Sequence, residues 1–234
     1  MSVLVDMRGG VGVLTLDRPQ KAHAYSRTML QALDVGFTRL EAQASVVVVQ
    51  STGEGAFCGG ADLNELQHAD PLSALDLASQ RLFNRIAASP CLTIAAVQGA
   101  AIAGGCELAL ACDLRVVGPN ARFALPEVSH GLIPSAGGCT RLTRLCGASV
   151  AKQVILFGRM LSATEAVQLG LAMGPTDAPR GRALEIAARA TTDFDPIALR
   201  LAKQIIDRGE DTGSLDAERV AESLLYQRRR PPEP

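Results

Sequence analysis

Apolar and polar positions alternate from Val3 to Asp17 around the pair Gly9-Gly10, which predicts a β-hairpin. Ser26 then stands where a helix cap is needed, and apolar residues recur at Met29, Leu30, Leu33, Phe37 and Leu40, the spacing of one helical face. Val46 to Val49 is an unbroken β-branched run, the mark of a strand covered on both sides. A Gly-rich loop follows at 53–60, then a predicted helix around Leu72–Ala88. Leu92 to Val97 is a second strand of the buried kind and runs into another Gly-rich loop and an apolar helix, Cys106 to Cys112. Leu114 to Val117 and the short Arg122 to Leu125 complete the strands. From Gly137 onward the pattern is helical, with a capping box at Ser162-x-x-Glu165 and a helix opened by Pro196 that runs to about Arg208. This alternation of buried strands and helices predicts an α/β fold with right-handed crossovers and a helical last third that is a subdomain or packing arm. There are no internal repeats, and only the tail after Gln227 is low in complexity.

A chain of 234 residues with 47% hydrophobic content can bury a substantial core, so global disorder is set aside. The formal net charge of −1 leaves no footprint for nucleic acid or an anionic membrane. Arg228-Arg229-Arg230 is locally basic but lies in a Pro-rich tail, a solvated terminus. Cys58, Cys91, Cys106, Cys112, Cys139 and Cys146 include no C-x-x-C pair and no His in metal-ligand spacing, so no metal is expected. Most read as small core residues of a reducing compartment, Cys139 included. The N-terminus lacks the pattern of a signal peptide, and the longest apolar stretch, Leu92 to Leu114, is broken by Gln98, Glu107 and glycines. No membrane association and a cytoplasmic setting are the expectations.

Two loops carry the candidate chemistry. In Phe57-Cys58-Gly59-Gly60-Ala61-Asp62-Leu63, small residues allow close backbone approach to a ligand, and Asp62 could cap the element that follows; a tight turn is the plainer reading. Gly99 to Glu107 repeats the theme at a helix start, where unsatisfied amides favour negative charge. Neither loop completes a phosphate-binding or dinucleotide motif. Glu107 is a lone carboxylate on an otherwise apolar helix, either a first-turn cap or a functional group with raised pKa. Glu127, after Pro126 and before the turn at Gly131, is either an exposed loop acid or a second catalytic carboxylate. Ser135 lacks a nucleophile-elbow frame, and His23 and Tyr25 suit packing and pocket-lining equally.

In order along the chain, Asp17-Arg18-Pro19-Gln20-Lys21, Ala56 to Leu63, Ala103 to Ala109, Cys112-Asp113, Leu125-Pro126-Glu127 and Gly131-Leu132-Ile133-Pro134 with Ala136-Gly137-Gly138 resemble the crotonase (enoyl-CoA hydratase/isomerase) signature. The resemblance covers roughly residues 3–210. It implies a spiral of ββα turns over 1–190 and a shortened helical C-terminal region, 191–234, that drives trimers or hexamers. It further implies that the amides of Ala61 and Gly104 form an oxyanion hole for a thioester enolate, one such donor being worth about 3–4 kcal/mol. Glu107 and Glu127 would hold the attacking water. Lys21, Ala22, Ala24, Gly59, Gly60, Asp62, Leu63, Gly105, Pro126 and Gly131 would line the site of coenzyme A, which is part of the substrate, so no separate cofactor is implied.

The activity so implied is reversible hydration of a 2,3-enoyl-CoA. An isomerase, another lyase, a CoA-thioester hydrolase and a non-catalytic CoA-binding or scaffold protein are the alternatives. The family pattern is departed from at His23-Ala24-Tyr25, where Asn-Ala-Leu is usual, and at Ser135, where Gly is usual. The chain also ends at 234, where family members usually continue to a last helix, and these departures bear on the acyl pocket and adenosine contacts.

Overall fold

Gly9 and Gly10 take φ of 54° and 86° and turn β1 (Val3–Arg8) back onto β2 (Val11–Leu16) in the predicted hairpin. The computed structural model describes residues 2–66, 77–209 and 212–229, with side chains left aside at 63, 66, 212–215 and 226–229. In the large sheet β3 (Val46–Ser51), β4 (Leu92–Val97) and β6 (Leu114–Val117) follow β2, all parallel to it, in the order β1-β2-β3-β4-β6.

The interior strands are covered on both faces. Leu14, Leu16, Val47, Val49, Ala95 and Val97 pack into the main core with Met29, Leu33 and Phe37 of α1 (Arg27–Glu41). On the other face Val11, Val13, Val46, Val48, Ile94, Ala96 and Val116 meet Ala183, Ala187 and Ala190 of a later helix. The Val46–Val49 run is thus buried on both faces, as its composition predicts. The alternation expected across the hairpin does not hold in β2, where all six residues are buried. The reason is position: β1 is the edge strand, while β2 lies inside the sheet, and its one polar side chain, Thr15, accepts a hydrogen bond from Gln50 Nε2 at 3.1 Å.

A second, smaller ladder positions the site. It runs β5 (Ala100–Ile102), β7 (Arg122–Ala124) and β8 (Leu161–Ser162), and single parallel bridges Cys58–Ala101 and Tyr25–Ala61 extend it backwards along the chain. Each turn of chain therefore lays one strand in the large sheet, one segment in the small ladder, and then a helix. The helices that close these turns are α1, then α2 (Leu63–Leu66) with α3 (Ala78–Ala87), then α4 (Gly104–Ala111), then α5 (Gly138–Leu156). The predicted helix at Leu72–Ala88 is α3; its first part lies outside the described residues. The Gly99–Glu107 stretch holds β5 as well as a loop, a strand too short to leave a sequence pattern.

The last third is not helical throughout. After α5, broken at Gly147 (φ 80°, ψ 160°), come β8, α6 (Ala163–Gln168), α7 (Pro179–Thr192), α8 (Pro196–Arg208) and α9 (Thr212–Arg229). Between α6 and α7, Met173 pairs with Val116 at the edge of the large sheet, its amide 2.8 Å from the Arg115 carbonyl. The predicted capping box is present at Ser162 and Glu165. The α9 backbone stays helical to Arg229, past the predicted start of the tail, because arginine sustains a helix well.

Two buried cations anchor the frame. Arg115, 4% exposed, donates to the carbonyls of Ala109, Cys112, Asp113 and Leu171, and so satisfies the C-terminal end of α4. Lys203 of α8 reaches Asp113 Oδ2 and the Cys91 carbonyl, each at 2.8 Å, while Thr93 donates to the same carboxylate oxygen. Cys58, Cys91, Cys106 and Cys112 are buried, and burial pushes the Cys58 and Cys112 thiols up to about 12, as small core residues. Cys139 departs from that expectation: it is exposed at the start of α5.

Candidate active site

The two Gly-rich loops meet side by side. Cys58 N–H donates to the Ala100 carbonyl at 3.1 Å and Ile102 N–H to the Cys58 carbonyl at 3.0 Å, so the loops pair as short parallel strands. Their contact leaves no room for side chains. A Cβ on Gly105 would lie 2.0 Å from the Cys58 carbonyl oxygen, and one on Gly60 (φ 92°) would lie 3.2 Å from the Gly104 nitrogen. Ala61 and Gly104 are thereby brought to one place from positions more than forty residues apart.

At that place both amides face outward from their own elements. Gly104 is the first residue of α4, so its N–H is one of the donors a helix cannot satisfy itself. Ala61 is bridged to Tyr25 through its neighbours: Tyr25 N–H donates to the Gly60 carbonyl at 2.8 Å and Asp62 N–H to the Tyr25 carbonyl at 2.9 Å. In that parallel pattern the Ala61 amide points away from Tyr25. No backbone partner is present for either amide among the described residues. Ala103, just before Gly104, holds φ 51° and ψ −127°, a conformation an alanine adopts only when its surroundings impose it.

Glu107 does not cap its own helix. Only 3% exposed, it crosses to the loop before α5, where Oε1 accepts from Ala136 N–H at 2.7 Å and Gly138 N–H at 2.8 Å. Oε2 takes no hydrogen bond from the described residues. Burial raises the pKa, opposed by the two amides and by the Arg141 guanidinium. Arg141 also holds that loop, donating to the Ala136 carbonyl at 2.7 Å and to Asn84 Oδ1 at 2.6 Å.

Glu127 is differently served. It opens a 3-10 turn, Glu127–His130, directly after β7, with Pro126 before it and Gly131 (φ 73°) closing the turn. Its Oε2 is buried with no hydrogen-bond partner among the described residues. Burial, with the nearby Glu107 charge, pushes its pKa up to about 7. Two carboxylates thus sit together with unlike proton affinities: Glu107 held by two amides, Glu127 poised to keep a proton near neutrality.

The remaining predicted residues lie around this centre. The 19–24 loop is folded against the first Gly-rich loop, with Gly59 N–H on the Ala22 carbonyl at 2.9 Å. Lys21 and Ala22 are exposed there, and Ala24 gives its carbonyl to Arg18. Asp62 is paired with Arg18 at 2.7 Å, which holds its carboxyl below the usual range, and accepts from Asn64 N–H at the start of α2. The Leu63 side chain falls outside the described residues. Gly131 is exposed at the rim, and Pro126 half-buried. His23 is a packing residue: 1% exposed, it accepts from Arg18 N–H on Nδ1 and meets the Thr52 carbonyl through Nε2. Ala136, Gly138 and Arg141 were not legible as parts of the site, because the link from Glu107 spans about thirty residues and is made by backbone amides that carry no residue signature.

Amide donors for an oxyanion beside two such carboxylates define a site that can polarise a carbonyl and move a proton and a water next to it. A family model for enoyl-CoA hydratase/isomerase matches residues 6–229, and the chain belongs to that family. It is similar to the probable enoyl-CoA hydratase 2, mitochondrial, of Arabidopsis thaliana, at 39% identity over 94% of this chain and 74% of the relative. The short-chain-enoyl-CoA hydratase of Clostridium acetobutylicum is 34% identical over 89% of this chain and 82% of its own length. Among solved structures, an enoyl-CoA hydratase from Bacillus anthracis superposes with a TM-score of 0.90 at 34% identity, covering 95% of this chain and 90% of that one. The ββα spiral is therefore the crotonase fold.

Proposed function

We propose that the protein catalyses reversible addition of water across the 2,3 double bond of an enoyl-CoA thioester. The observation that carries this reading is the pair of unlike carboxylates beside two unpartnered amides. The thioester oxygen is held by the N–H groups of Ala61 and Gly104. Glu107, gripped through Oε1, takes a proton from water as the water oxygen bonds to C3. The C2–C3 π electrons move to form the enolate, its charge on the held oxygen, and Glu127 delivers its proton to C2. Proton exchange from Glu107 to Glu127 through solvent resets the site. Dehydration runs the same steps backwards.

The exposed Lys21–Ala22 segment, Ala24, Gly59, Gly60, Asp62, Leu63, Gly105, Pro126 and Gly131 form the surroundings in which we place coenzyme A. The chemistry so written uses only groups of the chain, the thioester and water, with no separate cofactor. The proposal includes a trimer or hexamer built through the 191–234 region beyond the 1–190 core, and a cytoplasmic setting. Exposed Ile197, Ile206, Val220 and Leu224 on α8 and α9 support the former. No helix among the described residues is long and apolar enough to cross a membrane. Loss of the conjugated enoyl-thioester absorbance, followed with crotonyl-CoA and longer chains, tests the activity. A folded protein with no turnover on any of them contradicts it.

A further inference from the structure

Tyr25 touches both halves of the oxyanion hole. Through its backbone it holds the Gly60 carbonyl and the Asp62 amide, the two neighbours of Ala61, at 2.8 and 2.9 Å. Through its side chain it fills the space where residue 104 would carry a Cβ: that position lies 1.9 Å from the Tyr25 hydroxyl oxygen and 2.8 Å from Cζ. The ring cannot drift from there. It is 6% exposed and packs edge-on against Phe83 at 5.9 Å and 87°. One rigid side chain therefore spans from the strand bearing the first amide to the helix end bearing the second.

We infer that Tyr25 is a positioning residue of the oxyanion hole, its ring and hydroxyl setting the gap between the Ala61 and Gly104 amides. The inference rests on the reading of those two amides as the hole. Two amides can share one oxyanion only if their separation is held to a few tenths of an ångström, and such geometry has to be locked by the surroundings rather than by the donors themselves. A glycine at 104 and a tyrosine at 25 are complementary parts of that lock. Burial and the nearby Cys58, Glu107 and Glu127 raise the phenol well above its ordinary value, so it stays neutral and makes no charged contact with the substrate.

The test is Tyr25→Phe in the full chain, with three readouts. Butyryl-CoA, whose thioester carbonyl carries no charge, reports ordinary binding. Acetoacetyl-CoA, which can be held as its enolate, reports the hole through the near-ultraviolet absorbance of that enolate. Crotonyl-CoA hydration reports catalysis. Butyryl-CoA affinity is expected to stay within about twofold, while the bound enolate fraction and kcat both fall by about tenfold with KM little changed. An unchanged enolate fraction and kcat overturn the inference. Equal losses for butyryl-CoA and the enolate also overturn it, because a merely loosened core lowers both. Should Tyr25→Phe not fold, Phe83→Leu keeps the tyrosine and removes the edge-on partner of its ring; the same split at about threefold supports the inference, and equal losses or no change overturn it. No enolate signal in the unaltered protein would mean that the hole itself is misplaced, and the role of Tyr25 falls with it.

Discussion

Replacing Glu107 by Gln separates what the carboxylate does for the reaction from what it does for the fold. Its Oε1 accepts the Ala136 and Gly138 amides at 2.7 and 2.8 Å, and a glutamine Oε1 can accept both in the same way. The new amide nitrogen would take the place of Oε2, which has no partner to lose among the described residues. Burial leads the causes that raise the Glu107 pKa from 4.5, so near neutral pH the ionised group is worse off folded than unfolded. A raised carboxyl pKa means that stability falls as pH climbs above the unfolded value, and a neutral side chain escapes that loss. Glu107→Gln should thus melt no lower than the parent at pH 7, with any difference between them shrinking toward pH 4. The reaction, by contrast, loses its base, which costs about 10²–10⁴-fold in kcat, or about 3–5.5 kcal/mol. Thermal denaturation and crotonyl-CoA turnover on one preparation decide the matter. Were the carboxylate only a structural tie, weakening two charge-assisted hydrogen bonds would cost about 1–3 kcal/mol and lower Tm by several degrees, with turnover nearly intact. That pattern would refute the reasoning.

Three further outcomes follow from the geometry. With Glu127 at about 7, kcat/KM for hydration should decline as pH rises through 7 and the proton leaves, and because the net reaction takes up no proton, kcat/KM for dehydration should follow the same profile; a rate that stays flat as pH rises through 7 would contradict this. Gly105→Ala sets a Cβ 2.0 Å from the Cys58 carbonyl oxygen and must push the two loops apart; we expect about 1–3 kcal/mol less stability and at least about tenfold less kcat, read by denaturant unfolding and turnover. Arg115→Met leaves the carbonyls of Ala109, Cys112, Asp113 and Leu171 without their donor, which should cost about 3 kcal/mol or more; an unchanged Tm would remove Arg115 from the frame.

The sequence pattern is legible where local chemistry acts alone. Ser26 caps α1 by accepting from Met29 N–H, Gly9-Gly10 turns the hairpin, and Val46–Val49 is covered on both faces, each from its residues as written. The pattern misleads where position in the sheet decides: β2 loses its alternation because α1 and α7 cover both its faces. It is silent where the partner is a distant backbone. Glu107 stood out as a lone carboxylate on an apolar helix, but its grip by Ala136 and Gly138 depends on how α4 and the loop before α5 pack. Tyr25 was visible only as an unusual residue before α1. Its seat under Gly104 needs both loops in place, as does the strained backbone of Ala103.

The most direct measurement is the fate of water oxygen. Incubating the protein with crotonyl-CoA in oxygen-18 water and weighing the products by mass spectrometry distinguishes hydration from thioester hydrolysis and from isomerisation. Hydration predicts one heavy oxygen on C3 of an intact acyl-CoA, at a rate that Glu107→Gln lowers by about 10²-fold or more. Heavy oxygen in a released carboxylate with free coenzyme A, or an enoyl-CoA that rearranges without gaining any, would contradict the proposed reaction.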